Sequence, residues 1–149
     1  MAKKPVVIVV DDEADALEMY VRTLSSAYEV TTFNDPNAAL VAAKAGAPEL
    51  LIVDHKMPGL TGVQFVRKLR EANVECATLM VTGFPEMTEV VDAQKSKLFF
   101  QVCPKPWKPE DLLAFAGMAV TAFRVQKSAQ RLGRLDAREP PETGSDGTD

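Results

Sequence analysis

Leu50-Leu51-Ile52-Val53-Asp54-His55-Lys56-Met57-Pro58-Gly59-Leu60-Thr61-Gly62 decides the fold, because four apolar residues run straight into an aspartate and then a turn. A strand covered by helices on both faces has no polar side, so the unbroken run reads as a buried parallel strand. Asp54 is thereby delivered to the carboxyl edge of the sheet, where open α/β folds place their ligands. Pro58 presets φ, and Gly59 and Gly62 supply the conformational freedom of a sharp exit.

The flanking sequence repeats this alternation. Val6-Val7-Ile8-Val9-Val10 is a β-branched run that reads as a central strand, closed by Asp11-Asp12-Glu13. Leu17, Val21 and Leu24 then fall at helical spacing and predict an amphipathic helix with all three on its buried face. A strand over Tyr28–Phe33 leads to a helix opened by Asp35-Pro36, a capping residue followed by proline in the first turn, and stopped near Gly46. Beyond the Asp54 turn, Val63, Phe65, Val66 and Leu69 mark a third helix. Ala77–Val81 forms a fourth strand ending at Thr82-Gly83.

Glu86–Lys95 predicts a fourth helix whose apolar face is thin, carried by Met87, Val90 and Val91, so it is expected to be the least firmly packed. Leu98–Val102 reads as the fifth strand, followed by Cys103-Pro104-Lys105-Pro106-Trp107. Pro109-Glu110-Asp111 open the last helix, whose broad face of Leu112, Phe115, Ala116, Ala119, Val120 and Phe123 continues to about Leu135. After Asp136 the chain turns to Pro, Gly, Ser, Thr and acids, a composition expected to be disordered. The pattern predicts an α/β, doubly wound five-stranded parallel sheet with an extended C-terminal helix.

Composition narrows the function. A chain of 149 residues with 46% hydrophobic and 26% charged residues suits one domain with a proper core. Net charge of −4 gives no bulk attraction to nucleic acid or anionic lipid, so neither is an expected partner. The early apolar run is cut by two aspartates before it reaches the length of a signal segment, and no span approaches membrane-crossing length. Cys76 and Cys103 lack Cys-x-x-Cys spacing and read as reduced structural thiols, which points to a cytoplasmic location.

Polar residues cluster at four strand ends: Asp11 and Asp12, Asp54, Thr82, and Lys105 just after the fifth strand. In a parallel sheet these ends face one way and converge on one crevice. Three gathered carboxylates repel one another unless a hard cation is present, and Mg²⁺ suits such oxygen donors. Lys105 adds a point charge and Thr82 a hydroxyl. A carboxylate at that position can attack phosphorus to give an acyl phosphate. His55, the only histidine, has no second imidazole beside it and is expected to face solvent.

On Asp11-Asp12, Asp54 with Met57-Pro58-Gly59 and Gly62, Thr82-Gly83 and Lys105-Pro106, the chain resembles the receiver domain of bacterial two-component response regulators over about residues 5 to 125. The resemblance implies a flavodoxin-like (βα)5 fold, with a receiver domain at 1–125 and a helix extension and acidic tail at 126–149. It implies that Asp54 accepts a phosphoryl group from a sensor histidine kinase or histidine phosphotransfer protein. Asp11, Asp12 and Asp54, with the backbone carbonyl of Lys56, would hold Mg²⁺, Thr82 and Lys105 would bind phosphoryl oxygens, and the bond before Pro106 would be cis.

One departure is visible. The aromatic residue that the family places three positions before the lysine is replaced by Val102. On strand alternation Phe100 shares the face of Val102 and Phe99 does not. Switching is therefore expected to use the fourth helix and the fifth-strand surface. Phe84 and Lys56 would flank the site, Trp107 would report on it, and a downstream protein would dock on the fourth helix, fifth strand and last helix.

The leading expectation is a phosphorylation switch that is not an enzyme on a separate substrate. Alternatives are a small phosphatase using an aspartyl phosphate, a dormant receiver-fold module binding partners regardless of phosphate, and a fragment of a larger regulator. The last helix could also support a homodimer.

Overall fold

The computed structural model describes residues 3–138; Ala137 and Arg138, the first residues of the tail expected to be disordered, belong to the last helix, and the rest of that tail lies outside the described residues. Five strands alternate with five helices: β1 (Val6–Val10), α1 (Ala14–Leu24), β2 (Glu29–Phe33), α2 (Pro36–Ala45), β3 (Leu50–Asp54), α3 (Gly62–Glu71), β4 (Ala77–Thr82), α4 (Thr88–Lys95), β5 (Gln101–Pro104) and α5 (Pro109–Arg138). All strand pairs are parallel, in the order β2-β1-β3-β4-β5. The fold is the flavodoxin-like receiver arrangement that the sequence predicts. Among the described residues, no helix is long and apolar enough to cross a membrane.

Strand alternation divides the core into two layers. Ile8, Val10, Leu51, Val53 and Met80 face α2, α3 and α4, where Leu40, Phe65, Val66, Leu69 and Val90 cover them. Val7, Val9, Leu50, Ile52, Leu79 and Val81 face α1 and α5, against Tyr20, Leu24, Leu112, Ala116 and Ala119. Both sides of β3 are thus covered, which explains its unbroken apolar run. Each fully buried Val, Leu or Ile contributes about 1.5–3 kcal/mol relative to exposure.

Register then fixes the functional edge. Val10 pairs with Val53, so Asp11 and Asp54 leave adjacent strands side by side. Asp54 pairs with Val81, which puts Thr82 one step further along β4. Local caps support these exits: Asp35 accepts from Asn37 N at 3.0 Å, and Thr61 and Gln64 form a reciprocal capping box at the start of α3.

Four sequence expectations are corrected. In α1, Tyr20 and Leu24 are buried while Val21 is exposed; the ring of Tyr20 fills the space against Trp107. Helix α4 begins at Thr88, two residues later than expected. Strand β5 begins at Gln101, not Leu98, because the chain closes α4 first: Lys97 takes a left-handed φ of 61° and Leu98 N donates to Ala93 O at 3.0 Å. Leu98 and Phe99 therefore enter the core as a helix-terminating loop. Phe99, not Phe100, packs in the layer that contains Val102, and Phe100 is exposed.

Gly62 is where α3 crosses closest to the end of β3. A Cβ there would collide with the Asp54 carbonyl and sit 3.0 Å from His55 Cα, both backbone and unable to yield. Gly62→Ala should destabilise the protein by about 3 kcal/mol in urea unfolding. Gly117→Ala, where a Cβ meets nothing within 4 Å in mid-helix, should stabilise it by roughly 0.5–1 kcal/mol. Equal stability of the two variants would contradict this account of the crossing.

Candidate functional site

The crevice between β1 and β3 gathers residues from four strand ends. Asp11 is fully buried, and its backbone N donates to Phe33 O at 3.1 Å, continuing the sheet bond by one residue. Its Oδ1 accepts from Glu13 N at 3.0 Å, and its Oδ2 accepts from Lys105 Nζ at 2.9 Å. Asp54 is 7% exposed, with Oδ2 3.4 Å from the same ammonium. Asp12 is exposed beside them. One carboxylate oxygen from each of Asp11, Asp12 and Asp54 lies within 4.8 Å of the others.

Lys105 reaches this group from a fixed base. Its backbone N donates to Thr82 O at 2.9 Å, tying the end of β5 to the end of β4, and the Lys105–Pro106 bond is cis as expected. Thr82 is buried with its hydroxyl accepting from Phe84 N at 3.0 Å. Phe84 remains half exposed, and Lys56 Nζ lies 4.6 Å from its ring centroid, so these two side chains make a cation–π pair. Trp107 packs on Tyr20 with ring centroids 5.0 Å apart.

His55 is corrected by the structure. It is buried, not solvent-facing: Nδ1 lies 3.4 Å from Val63 N, the donor, and Nε2 lies 3.1 Å from Glu89 Oε1. An accepting Nδ1 leaves the proton on Nε2, which donates to Glu89. The residue after Asp54 is thus connected directly to α4. Phe100 lies outside the crevice and lines a cavity of about 410 Å³ with Cys76, Gln94 and Phe123. Val102 is half-buried and packs against the α4-side layer. Both cysteines are free and buried, and burial raises each thiol to about 11.

Charge in the crevice is unbalanced. Burial, then the nearby charge of Asp11, raises the Asp54 carboxyl to about 6, although Lys105 pulls the other way. Burial alone would lower the Lys105 ammonium, but the hydrogen bond and charge of Asp11, then the charge of Asp54, outweigh it and raise it. The oxygen donors fit a hard divalent cation, which would relieve the excess negative charge.

A carboxyl raised from 3.8 to about 6 on folding binds its proton more tightly in the native state. Its ionisation therefore works against folding as pH rises through that window, and the deficit is full above it. Without divalent cations, Asp54→Asn should be more stable than the parent at pH 8 by about 1–3 kcal/mol, and the gap should close toward pH 4. Urea unfolding in a chelator reads both values. A less stable Asn variant at pH 8 would contradict the charge assignment.

The family described as response regulator receiver domain matches residues 7–116. The hydrogenase transcriptional regulatory protein HoxA of Cupriavidus necator is 29% identical over 130 residues, covering 87% of this chain and 27% of the relative. The chain spans about a quarter of the length of such curated relatives. A crystal structure described as adenylate cyclase from Rhodopirellula baltica superposes with a TM-score of 0.81 at 27% identity, over 88% of this chain and 98% of that one. The chemotaxis protein CheY4 of Vibrio cholerae gives 0.69 at 29% identity, over 78% and 98%. With the carboxylate cluster and its lysine on the crevice of a five-stranded parallel sheet, and a family match over most of its length, the chain belongs to the response regulator receiver domain family.

Proposed function

We propose that Asp54 is the phosphoacceptor of a signalling switch, charged by a sensor histidine kinase or a histidine phosphotransfer protein. The observation that carries this is the convergence of Asp11, Asp12 and Asp54 around a single lysine at the crevice edge. An Asp54 oxygen attacks the phosphorus of a phosphohistidine. The new O–P bond makes an acyl phosphate as the P–N bond breaks, and the electron pair leaves with the donor imidazole. No general base is needed, because a carboxyl with its pKa near 6 is ionised by roughly ten to one at pH 7.

Asp11, Asp12 and Asp54, with the carbonyl of Lys56, would hold Mg²⁺, which when bound supplies positive charge to the phosphoryl oxygens. Lys105 moves from its contact with Asp11 toward those oxygens, and the Thr82 hydroxyl donates to one of them. Phe84 and Lys56 govern the approach of hydrolytic water. The chain acts on itself in this way and turns over no separate metabolite. The longer relatives are named as transcriptional regulators, and this chain is read as the receiver portion of a similar architecture.

Output runs through α4. With Val102 in place of an aromatic ring, the contact from His55 to Glu89 is the direct tie between the phosphorylation loop and that helix. A downstream protein docks on the face made by α4, β5 and α5.

With Mg²⁺ and a small phosphodonor, intact mass should rise by one phosphoryl group and Trp107 fluorescence should change, both absent in Asp54→Asn. Lack of any mass gain in the parent would overturn the phosphoacceptor assignment. Glu89→Ala should accept phosphate as the parent does but lose most of the accompanying change in α4 hydrogen exchange. An unchanged α4 response in that variant would place the coupling elsewhere.

A further inference from the structure

The amino ends of β4 and β5, at the edge of the sheet opposite Asp54, border a cavity of about 410 Å³. The last turn of α4 and the middle of α5 complete its wall, so it is separate from the carboxylate crevice. Small-molecule sites fall at roughly 300–1,000 Å³ and combine an apolar lining with a few polar groups. The apolar part here is supplied by the rings of Phe99, Phe100 and Phe123.

Two polar features are left unmatched. Gln94 lines the cavity, and its Oε1 is buried with no hydrogen-bond partner among the described residues. A buried acceptor without a donor is costly, and nearly all such atoms in folded proteins find one. A ligand N–H would satisfy it. The lining also has an excess of positive charge. Lys127 donates to Glu75 at 2.7 Å, which offsets the acid of the lining. Arg70 and Lys97 line the same cavity, and among the described residues neither has an ion-pair partner. Arg70 donates one N–H to Leu98 O at 2.9 Å, which fixes its guanidinium and leaves further donors for an anion.

We propose that this cavity binds a purine nucleoside monophosphate. A purine edge presents an N–H donor beside an acceptor, the counterpart of a carboxamide's oxygen and NH₂, as when glutamine reads adenine. Its flat ring suits walls made of phenyl groups. The phosphate carries about −1.5 to −2 charge at pH 7, which matches the unpaired charges of Arg70 and Lys97. A fatty acid would leave the Gln94 oxygen unpaired, and free phosphate would leave the rings uncovered. Asp54 and Lys105 take no part, so the proposal stands apart from the phosphoacceptor reading.

Calorimetric titration of the full chain in a chelator, with AMP and GMP as probes, tests this. At least one should bind saturably, one per chain, and the matching nucleoside, which lacks the anion, about tenfold more weakly. Lys97→Asn keeps a residue that tolerates the left-handed φ at that position. It should weaken the nucleotide about tenfold and leave the nucleoside unchanged. Ala122→Trp, which fills the cavity, should abolish binding with unchanged circular dichroism. In the parent itself, the side-chain amide resonance of Gln94 should move with the nucleotide and not with inorganic phosphate. Failure of both nucleotides to bind at millimolar concentration would overturn the proposal. Equal binding to the parent and to Ala122→Trp would do the same, because the nucleotide would then sit elsewhere. Uptake of octanoate but of neither nucleotide would assign the cavity to a fatty acid and also overturn it.

Discussion

Asp11 and Asp54 are buried side by side, and one ammonium, that of Lys105, lies against both. The rest of the site depends on that imbalance. Register between β1 and β3 makes it unavoidable, since pairing Val10 with Val53 brings the next residue of each strand to the same edge. Burial raises the energy of the ionised Asp54, and the neighbouring Asp11 raises it further. A crevice with surplus negative charge and oxygen donors is suited to a hard cation, whose positive charge would relieve that strain and would offset the charge of an anionic phosphoryl group in the proposed transfer.

The surrounding fold protects this arrangement at close range. Gly62 lets α3 start against the carbonyl of Asp54, and the Thr61–Gln64 capping box holds that start in place. The backbone bond from Lys105 to Thr82 keeps the lysine at a fixed distance from the end of β4. Helix α4, by contrast, buries only Val90 and Ala93 from its own turns. A thinly packed helix tied to the residue after Asp54 is a suitable moving part, because a small change at the crevice can shift an element that little else restrains.

Much of this was legible in the sequence because parallel sheets follow simple rules. Unbroken apolar runs located β1, β3 and β4, and the shared direction of the strands' carboxyl ends assigned Asp11, Asp12, Asp54, Thr82 and Lys105 to one edge of the sheet. The failures have equally physical origins. Leu98-Phe99-Phe100 is apolar enough for a buried strand, yet a helix-terminating loop can bury Leu98 and Phe99 while leaving Phe100 exposed, and the left-handed φ of Lys97 had no glycine to announce it. Spacing allowed either Val21 or Tyr20 beside Leu24, and the partner that selects Tyr20 is Trp107, far along the chain. His55 was misplaced for a related reason. Its burial comes from α3 closing over the end of β3 and from Glu89 on a later helix, neither of which is written in the residues next to it.

The central claim is that Asp54 is destabilised by its neighbours and waits for positive charge. Carbon-13 NMR titration of the Asp54 carboxyl, with and without Mg²⁺, tests it most directly. The account predicts titration near pH 6 in the metal-free protein and a shift of the midpoint to clearly lower pH when Mg²⁺ is added. A midpoint at the ordinary aspartate value of 3.8 without metal, or one that does not move with Mg²⁺, would contradict it.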